Sequence, residues 1–408
     1  MDFHEFVSAV TCKREEVDRF LDPKAAKWAQ FDSELGYTLH DSVMQDGMDE
    51  ALSIYHYEPT GERLRVNYAN RPCRINTYGD SFTQCHQVSN GETWQEYLAA
   101  HFGEPIRNYG VGGYGVYQAW KRLQRHEATD QAAENIIFNI FPDDHYRSLD
   151  AWRMIRLQPP EIARQVASLM FHANPWDHLE FIPPTGRFSE RPSLCPTAES
   201  LYNLTDSEWI YESFKTDFVA QTIYTQHTGL VDAGELLTAH AKAFGLAGEW
   251  GAPEDNKRLA QEILTLEALK ATEVILGWMR AWAKAQGRKL LVILSHDFGN
   301  VLCALKGQRR WDQPLVDFMT KTGWPFWDSM GAHISDFADF RITPEEYIQR
   351  YYIGHYNPTG NHFFAFALKE VLLEWLEPAP PTYQTESGSW QQLVAELAPD
   401  SRGANPTN

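Results

Sequence analysis

A serine lies in this sequence at a position where it could act as a nucleophile. The strand-like run 73–78 is followed at once by Gly79-Asp80-Ser81-Phe82. A strand that ends in this way brings the Ser81 hydroxyl to the carboxyl end of a sheet, the edge where open α/β sheets build their sites. A serine hydroxyl becomes a nucleophile when a base lies beside it. Short motifs recur by chance, so the weight of this one depends on further motifs downstream.

Three such motifs follow in chain order. The first is the glycine-rich stretch Asn108-Tyr109-Gly110-Val111-Gly112-Gly113, and the second is Phe141-Pro142-Asp143-Asp144 at the end of an apolar run. The third is His355-Tyr356-Asn357-Pro358-Thr359-Gly360, which leads into another apolar run. Its Asn-Pro pair predicts a turn that ends one segment and opens a helix near Pro358.

Together the four motifs resemble the conserved blocks of the SGNH/GDSL hydrolase superfamily, over roughly residues 72–145 and 285–375. The resemblance implies a three-layer α/β/α fold with a mainly parallel central sheet, the flavodoxin-like SGNH core. It also implies that Ser81 is the nucleophile and that His355 is the base which takes and returns its proton. The backbone N–H groups of Ser81 and Gly113 are then the expected oxyanion donors.

The third block departs from the family pattern. Where the family has Gly-x-Asn-Asp, this chain has Phe141-Pro142-Asp143-Asp144. Asp143 therefore replaces the asparagine whose side chain donates to the oxyanion, and an ionised carboxylate has no proton to donate. Three interpretations stay open: Asp143 is protonated, it has another task, or a neighbour such as His145 or Arg147 supplies the donor.

The acid of the expected triad departs as well. The family usually places an aspartate three residues before the histidine, sometimes two, and those positions are Tyr352 and Ile353 here. A triad acid can be worth about 10⁴ in rate, because it holds the correct imidazole tautomer. A dyad oriented by a backbone carbonyl is an alternative to a relocated acid. The candidates for a relocated acid are Asp328, Asp336 and Asp339.

Several neighbouring residues are predicted to support the site. Asp80 is expected to accept backbone hydrogen bonds within the serine turn, and Asp80 and Asp144 are also candidates for a supporting or acidic role. His296 and Asp297 follow the apolar run 289–294, so they lie at the same sheet edge as Ser81. The predicted substrate contacts are Tyr114, His145, His296 and Asp297.

The length of 408 residues exceeds what an SGNH core needs, so additional parts are expected. Strands alternate with helices along the core, which indicates a parallel sheet covered on both faces. The predicted parts are an N-terminal β-rich appendage (1–71), the core (72–380) with a mainly helical insertion (148–258), and a polar tail (381–408). The insertion is expected either to cap the site or to lie apart from it. One short helix, 390–397, is expected in the tail.

Composition argues against several other classes of protein. A net charge of −19 disfavours binding to nucleic acid or to anionic membranes. The five cysteines are irregularly spaced without a Cys-x-x-Cys pair, so no zinc site is expected and no cofactor is predicted. No run reaches the about 20 apolar residues of a membrane span, and a cytoplasmic location is expected. Gly79-Asp80 and Asn361-His362 resemble fragments of dinuclear metallophosphatases, but those enzymes need such ligands much closer in sequence.

The sequence therefore predicts a serine esterase without a metal. The resemblance favours a short-chain acyl or O-acetyl ester of a carbohydrate or small metabolite as substrate. Two alternatives remain: an O-acyltransferase with the same residues, and a non-catalytic binding module on a degenerate core. The oligomeric state is left open.

Overall fold

The N-terminal part contains two short helices and two β-hairpins. The structure is a computed structural model in which residues 1–157 and 174–384 are described. The strands β1 and β2 pair in antiparallel fashion, and so do β3 and β4. The elements are α1 (Phe3–Ser8), α2 (Arg14–Leu21), β1 (Ala29–Asp32), β2 (Gly36–Leu39), β3 (Ser42–Gln45) and β4 (Leu52–Tyr55).

A five-stranded sheet, parallel throughout, lies at the centre of the core. Its spatial order is β11-β10-β7-β5-β6, so the strands taken in chain order are arranged 2-1-3-4-5. This confirms the predicted α/β class with a parallel sheet. The strands are β5 (Ile75–Tyr78), β6 (Arg107–Asn108), β7 (Asn135–Ile140), β10 (Lys289–Leu294) and β11 (Phe326–Asp328); β8 and β9 lie outside this sheet.

Both faces of the sheet are buried. Successive side chains of a strand point to opposite faces, and here they enter two separate apolar clusters. Phe138 and Val292 join one cluster, while Ile137 and Leu291 join the other. Burial on both faces explains why β7 and β10 are nearly continuous apolar runs in the sequence.

Helices supply the apolar side chains opposite each face. Leu123 and Ile275, from α5 and α11, belong to the first cluster. Trp94 and Leu368, from α4 and α16, belong to the second. The helices between β5 and the insertion are α3 (Ser81–Gln84), α4 (Trp94–Phe102), α5 (Val116–Glu127), α6 (Asp144–Arg147) and α7 (Arg153–Arg156). Those of the remaining core are α11 (Pro253–Gln286), α12 (Phe298–Leu305), α13 (Gln313–Lys321), α14 (Ser329–Ala338), α15 (Pro344–Tyr351) and α16 (Pro358–Trp375).

The insertion is only partly helical. Its helices are α8 (Ser207–Phe214), α9 (Phe218–Thr228) and α10 (Gly234–Ala243), preceded by a 3-10 segment, Glu199–Thr205. An antiparallel hairpin, β8 (His178–Ile182) with β9 (Arg187–Arg191), comes before them and was not predicted. The reason is that β9 is largely exposed and charged, so it lacks the apolar alternation that marks a strand.

At the C-terminal end of the described chain, α16 is followed by the 3-10 turn Pro381–Tyr383. The predicted tail helix, 390–397, lies outside the described residues. Within the described part of the chain, no helix is long and apolar enough to cross a membrane.

Candidate active site

Ser81 lies at the first residue of α3, directly beyond the end of β5. Asp80 caps this helix, since its Oδ1 accepts the N–H of Phe82 at 2.9 Å, which confirms the expected role of Asp80 in the turn. The other carboxylate oxygen, Oδ2, lies 3.2 Å from Ser81 Oγ. Ser81 itself is buried, with 7% of its surface exposed. The short turn therefore presents the hydroxyl at the carboxyl edge of the sheet, as predicted.

His355 is the partner of Ser81. Its Nε2 lies 2.8 Å from Ser81 Oγ, although the two residues are 274 positions apart in the chain. The histidine belongs to the segment just before α16, and Asn357 caps that helix by accepting the Gly360 N–H at 2.8 Å. The predicted turn before Pro358 is thus present, and it brings the two predicted residues into hydrogen-bond contact.

Gln87 occupies the position beyond the histidine where the triad acid was expected. Its Oε1 lies 2.8 Å from the backbone N and 3.0 Å from Nδ1 of His355. An amide oxygen can only accept hydrogen bonds, so Nδ1 carries the proton. Nε2 of the same imidazole is then left with its lone pair directed at Ser81. This is the tautomer that a general base requires.

The orientation of the Gln87 amide is fixed by its own partners. Its Nε2 donates to the carbonyl oxygens of Asp46, at 3.0 Å, and Ile353, at 3.3 Å. A reversed amide would place oxygen against both carbonyls, which excludes that assignment. The Gln87 N–H donates to the Tyr55 hydroxyl at 2.7 Å, and that hydroxyl donates to the Asp46 carboxylate at 3.0 Å. The β3–β4 hairpin thus supports the site through Asp46 and Tyr55.

Gly354 permits the close approach of Gln87 to the histidine segment. Its φ is +123°, and a Cβ there would lie 2.7 Å from Gln87 Oε1. Both the backbone conformation and the space therefore require glycine.

Burial determines the protonation state of His355. It lowers the pKa of His355 well below its usual value, and the neighbouring His86 and Arg147 lower it further. The His86 ring lies edge-on to the His355 ring, with centroids 5.0 Å apart. The imidazole is therefore neutral near pH 7 and ready to accept a proton.

The expected relocated acids lie elsewhere. Asp328 accepts a hydrogen bond from His296 at 2.9 Å and pairs with Arg310. Although burial raises the pKa of Asp328, these two partners hold it below its ordinary value. Asp336 accepts the Tyr351 hydroxyl, and Asp339 is exposed. The side-chain amide of Gln87 contacts Nδ1 of His355, so none of the three candidate aspartates occupies the position of a triad acid.

The glycine-rich loop lies against the serine. The Gly112 N–H donates to Gln84 Oε1 at 2.8 Å, which ties the loop to α3. Gly113 has a φ of +86°. Its N–H makes no hydrogen bond to the described residues. Gly113 therefore has the free backbone donor that the resemblance implies.

Asp143 is held by arginines. Its carboxylate lies 2.7 Å from Arg156 Nη1, 2.8 Å from Arg147 Nε and 3.6 Å from Arg153 Nη2. Burial alone would raise the pKa of Asp143, but the three guanidinium groups hold it well below its usual value. Asp143 is therefore ionised and cannot donate to an oxyanion, so the interpretation that it has another task is the one the geometry favours.

Arg147 connects this cluster to the serine turn. Its Nη1 donates to Asp144 Oδ1 at 2.7 Å and lies 3.8 Å from Asp80 Oδ2. Burial raises the pKa of Asp144 well above its usual value, and the nearby Asp80 adds to that shift. Asp144 thus supports Arg147 and does not contact His355. The bonds of Arg147 use Nε and Nη1, and its Nη2 atom has no hydrogen-bond partner among the described residues.

The four predicted substrate contacts divide into two groups. Tyr114, His145 and His296 are buried within the fold, and each side chain has a partner there. Burial lowers the pKa of His145 to about 4. Asp297 caps α12 by accepting the Asn300 N–H, and it lines an open cavity. Of these four residues, Asp297 lines the cavity beside Asp143.

That cavity lies at the carboxyl ends of β7 and β10 and has a volume of about 440 Å³. Asp143 lines it together with Asp297, and the Tyr146 and Trp311 rings stack with centroids 5.4 Å apart. Phe141, another lining residue, stacks on Phe82 at 4.8 Å, immediately next to Ser81. The cavity is thus adjacent to the serine turn.

No group of three or more histidine, cysteine, aspartate or glutamate side chains within residues 1–157 and 174–384 is arranged to hold a metal ion.

No protein-family model matches the chain, and no curated protein matches it.

Proposed function

We propose that this protein is a serine hydrolase of the SGNH type that cleaves a carboxylic ester through an acyl-Ser81 intermediate. The observation that carries the proposal is the 2.8 Å contact between Ser81 Oγ and Nε2 of His355, at the carboxyl edge of a parallel sheet. A serine and a histidine that are distant in sequence meet here in the tautomer that nucleophilic catalysis needs.

The acylation step uses five groups from four residues. Ser81 Oγ bonds to the acyl carbon while its proton passes to Nε2 of His355, and the carbonyl electron pair moves onto oxygen. The N–H groups of Ser81 and Gly113 donate to this oxyanion, and Arg147 Nη2 is the side-chain donor near the place of the missing asparagine. The bond to the leaving oxygen then breaks, and that oxygen takes the proton from Nε2.

Deacylation repeats these steps with water. The oxygen of a water molecule bonds to the acyl carbon while the water gives a proton to Nε2 of His355. The bond between Ser81 Oγ and the acyl carbon then breaks, and Oγ takes this proton from Nε2. Throughout, Gln87 keeps the proton on Nδ1 of His355. Because an amide is uncharged, it orients the imidazole but offers less electrostatic stabilisation of the imidazolium than an aspartate would.

The sheet supports this proposal at the level of architecture. The strand order 2-1-3-4-5 is that of flavodoxin-like sheets. In that arrangement ligands bind where the first and third strands diverge, outside their carboxyl ends. Ser81 follows β5, the first strand, and Asp143 follows β7, the third.

The adjacent cavity supports a carbohydrate ester as the substrate. It combines the stacked rings of Tyr146 and Trp311 with the polar side chains of Gln261, Thr265 and Asn300. An aromatic wall beside amide and hydroxyl groups suits a sugar, which has both apolar C–H faces and hydroxyl groups.

An O-acyltransferase is the second candidate, and the burial of Ser81 favours it. A nucleophile with 7% of its surface exposed is partly shielded from water, which allows an alcohol to compete for the acyl group. The two activities are distinguished by adding a sugar as acceptor to the ester assay. The measurement compares the amount of free acid, formed with water, with the amount of new ester, formed with the sugar.

The decisive experiment is intact-mass analysis after incubation with a fluorophosphonate probe. We expect a single adduct on Ser81, which is lost in Ser81→Ala and formed about 10²–10⁴ times more slowly in His355→Ala. Ser335→Ala and His362→Ala, which change exposed residues that are not part of this contact, serve as matched controls and should label normally.

The outcome distinguishes an enzyme from a binding module. Labelling at Ser81 that depends on His355 would support an activated nucleophile and justify a screen of acyl esters. A folded wild-type protein without an adduct, or one labelled equally in His355→Ala, would contradict the proposal and favour a non-catalytic binding module.

A further inference from the structure

A second cavity lies within the insertion, apart from Ser81 and His355. It has a volume of about 550 Å³, and neither Ser81 nor His355 lines it. The β8 strand, the connection between α8 and α9, and Glu267 of α11 surround it. A cleft of this size is in the range of small-molecule sites, about 300–1,000 Å³.

About half of the residues that line this insertion cavity are apolar. They include two aromatic rings and several aliphatic side chains from four separate segments of the chain. These residues are Leu149, Leu179, Phe181, Leu194, Phe218 and Val219. A ligand with an apolar body would remove these surfaces from water, and that burial favours binding by about 25 cal/mol per Å².

Three of the polar side chains that line the cavity, those of His178, Asp217 and Glu267, offer unpaired hydrogen-bond acceptors. His178 is 7% exposed, and its Nδ1 bonds to the Trp176 carbonyl at 3.2 Å, so Nε2 is an acceptor without a partner among the described residues. Asp217 Oδ1 accepts a hydrogen bond from the Ala220 N–H. Glu267 Oε2 is hydrogen-bonded to His240 Nδ1 at 2.7 Å. The second carboxylate oxygen of each has no partner in the described part of the chain.

Negative charge exceeds positive charge around the cavity. Asp217 and Glu267 line its interior, while Glu180 pairs with the one lining guanidinium, Arg191, at the rim. Burial raises the pKa of Asp217 to about 7, and the charges of Asp150 and Glu180 add to the shift. A positively charged ligand would offset the repulsion between Asp217 and these neighbouring carboxylates.

From the cavity, its apolar walls and its unpaired acceptors, we propose that the insertion binds a small organic ammonium ion with an apolar body. The ammonium group donates to Asp217 Oδ2, Glu267 Oε1 and Nε2 of His178. The apolar body lies between Phe181, Phe218 and the aliphatic walls. This ligand site does not depend on the proposed esterase function.

The test compares 2-phenylethylamine with 2-phenylethanol, which has nearly the same shape but no positive charge. Isothermal titration calorimetry on the full chain should show that the amine binds with a Kd of about 1 mM or tighter, and that the alcohol binds at least about tenfold more weakly. Asp217→Asn should weaken amine binding by at least about tenfold, because it removes a carboxylate. Asparagine is also a good helix cap, so α9 should remain intact.

Glu212→Gln is the matched control. It also removes one negative charge near α9, but Glu212 is exposed, pairs with Lys215 and does not line the cavity. Ser81→Ala should leave amine binding unchanged. Failure of the amine to bind, equal binding of amine and alcohol, or normal amine binding in a folded Asp217→Asn would each overturn the proposal.

Discussion

Gln87 Oε1 accepts hydrogen bonds from two nitrogens of His355, the backbone N at 2.8 Å and Nδ1 at 3.0 Å. One uncharged oxygen thus fixes both the backbone segment and the imidazole of the proposed base. The amide supplies orientation and selects the tautomer, whereas a carboxylate would also supply charge. This difference leads to testable consequences for rate and pH dependence.

Gln87→Leu should keep most of the side-chain volume but remove both hydrogen bonds. We expect kcat/KM for an ester substrate to fall by about 10²–10⁴, since the tautomer is no longer selected. Gln87→Glu should raise the pKa of His355 by adding negative charge beside Nδ1, and the pH profile of kcat/KM measures that shift. Full activity in a folded Gln87→Leu would exclude an orienting role.

The wild-type pH profile should reflect the depressed pKa of His355. The base must be neutral, and its pKa lies well below the ordinary value because of burial and the neighbouring His86 and Arg147. As pH falls, kcat/KM should therefore remain constant through the ordinary histidine value of about 6.5 and decline only below it. A decline centred at or above the ordinary value would contradict this expectation.

Gly354→Ala should impair the site through Gln87. The new Cβ would meet Gln87 Oε1 at 2.7 Å and would require a φ of +123°, so the amide must move away from His355. We expect a lower kcat/KM, measured with the same ester. Gly323→Ala is the matched control, because Gly323 also has a positive φ, +63°, but open space around its Cβ position. Equal activity in the two variants would show that the contact does not matter.

Asp143→Asn tests whether the Asp143 carboxylate anchors the three neighbouring arginines. We expect a loss of about 2 kcal/mol in the free energy of unfolding, because three arginines lose their shared carboxylate. The loss is moderated by the 29% exposure of the Asp143 side chain. Denaturant unfolding measures it, with Asp339→Asn as an exposed control. A more stable variant would contradict the arginine-anchoring role.

Asp217→Asn should change stability in a pH-dependent way. The folded-state pKa of Asp217 is raised to about 7, so the wild type loses stability as pH rises from the ordinary carboxyl value towards 7. The variant lacks this titration. Its unfolding free energy should match that of the wild type at about pH 4 and exceed it at about pH 8. A constant difference between the two pH values would argue against an ionisable, buried Asp217.

The sequence was sufficient to identify the candidate residues that belong to sequence motifs. Ser81 and His355 belong to ordered blocks at strand and helix ends, and the structure brings them into contact. The parallel sheet could be predicted because β7 and β10 are buried on both faces, which leaves continuous apolar runs.

Gln87 could not be found in this way. It belongs to no motif, has a φ of +73°, and is 268 positions away from the histidine that it contacts. Asp328 was a reasonable candidate because it ends a strand, but the register of β10 and β11 pairs Leu294 with Asp328 and so brings His296 beside it. Only the three-dimensional arrangement decides which neighbour reaches a given side chain.

The support that Asp46 and Tyr55 give to Gln87 has a consequence for dissecting this protein. A fragment starting at residue 72 would keep the serine motif, the sheet and the histidine, but it would lack the carbonyl and hydroxyl groups that anchor the Gln87 side chain and backbone. The histidine would then be free to rotate. The hairpin is therefore an integral component of the proposed proton-transfer apparatus, and a truncated fragment would retain Ser81 and His355 without their alignment.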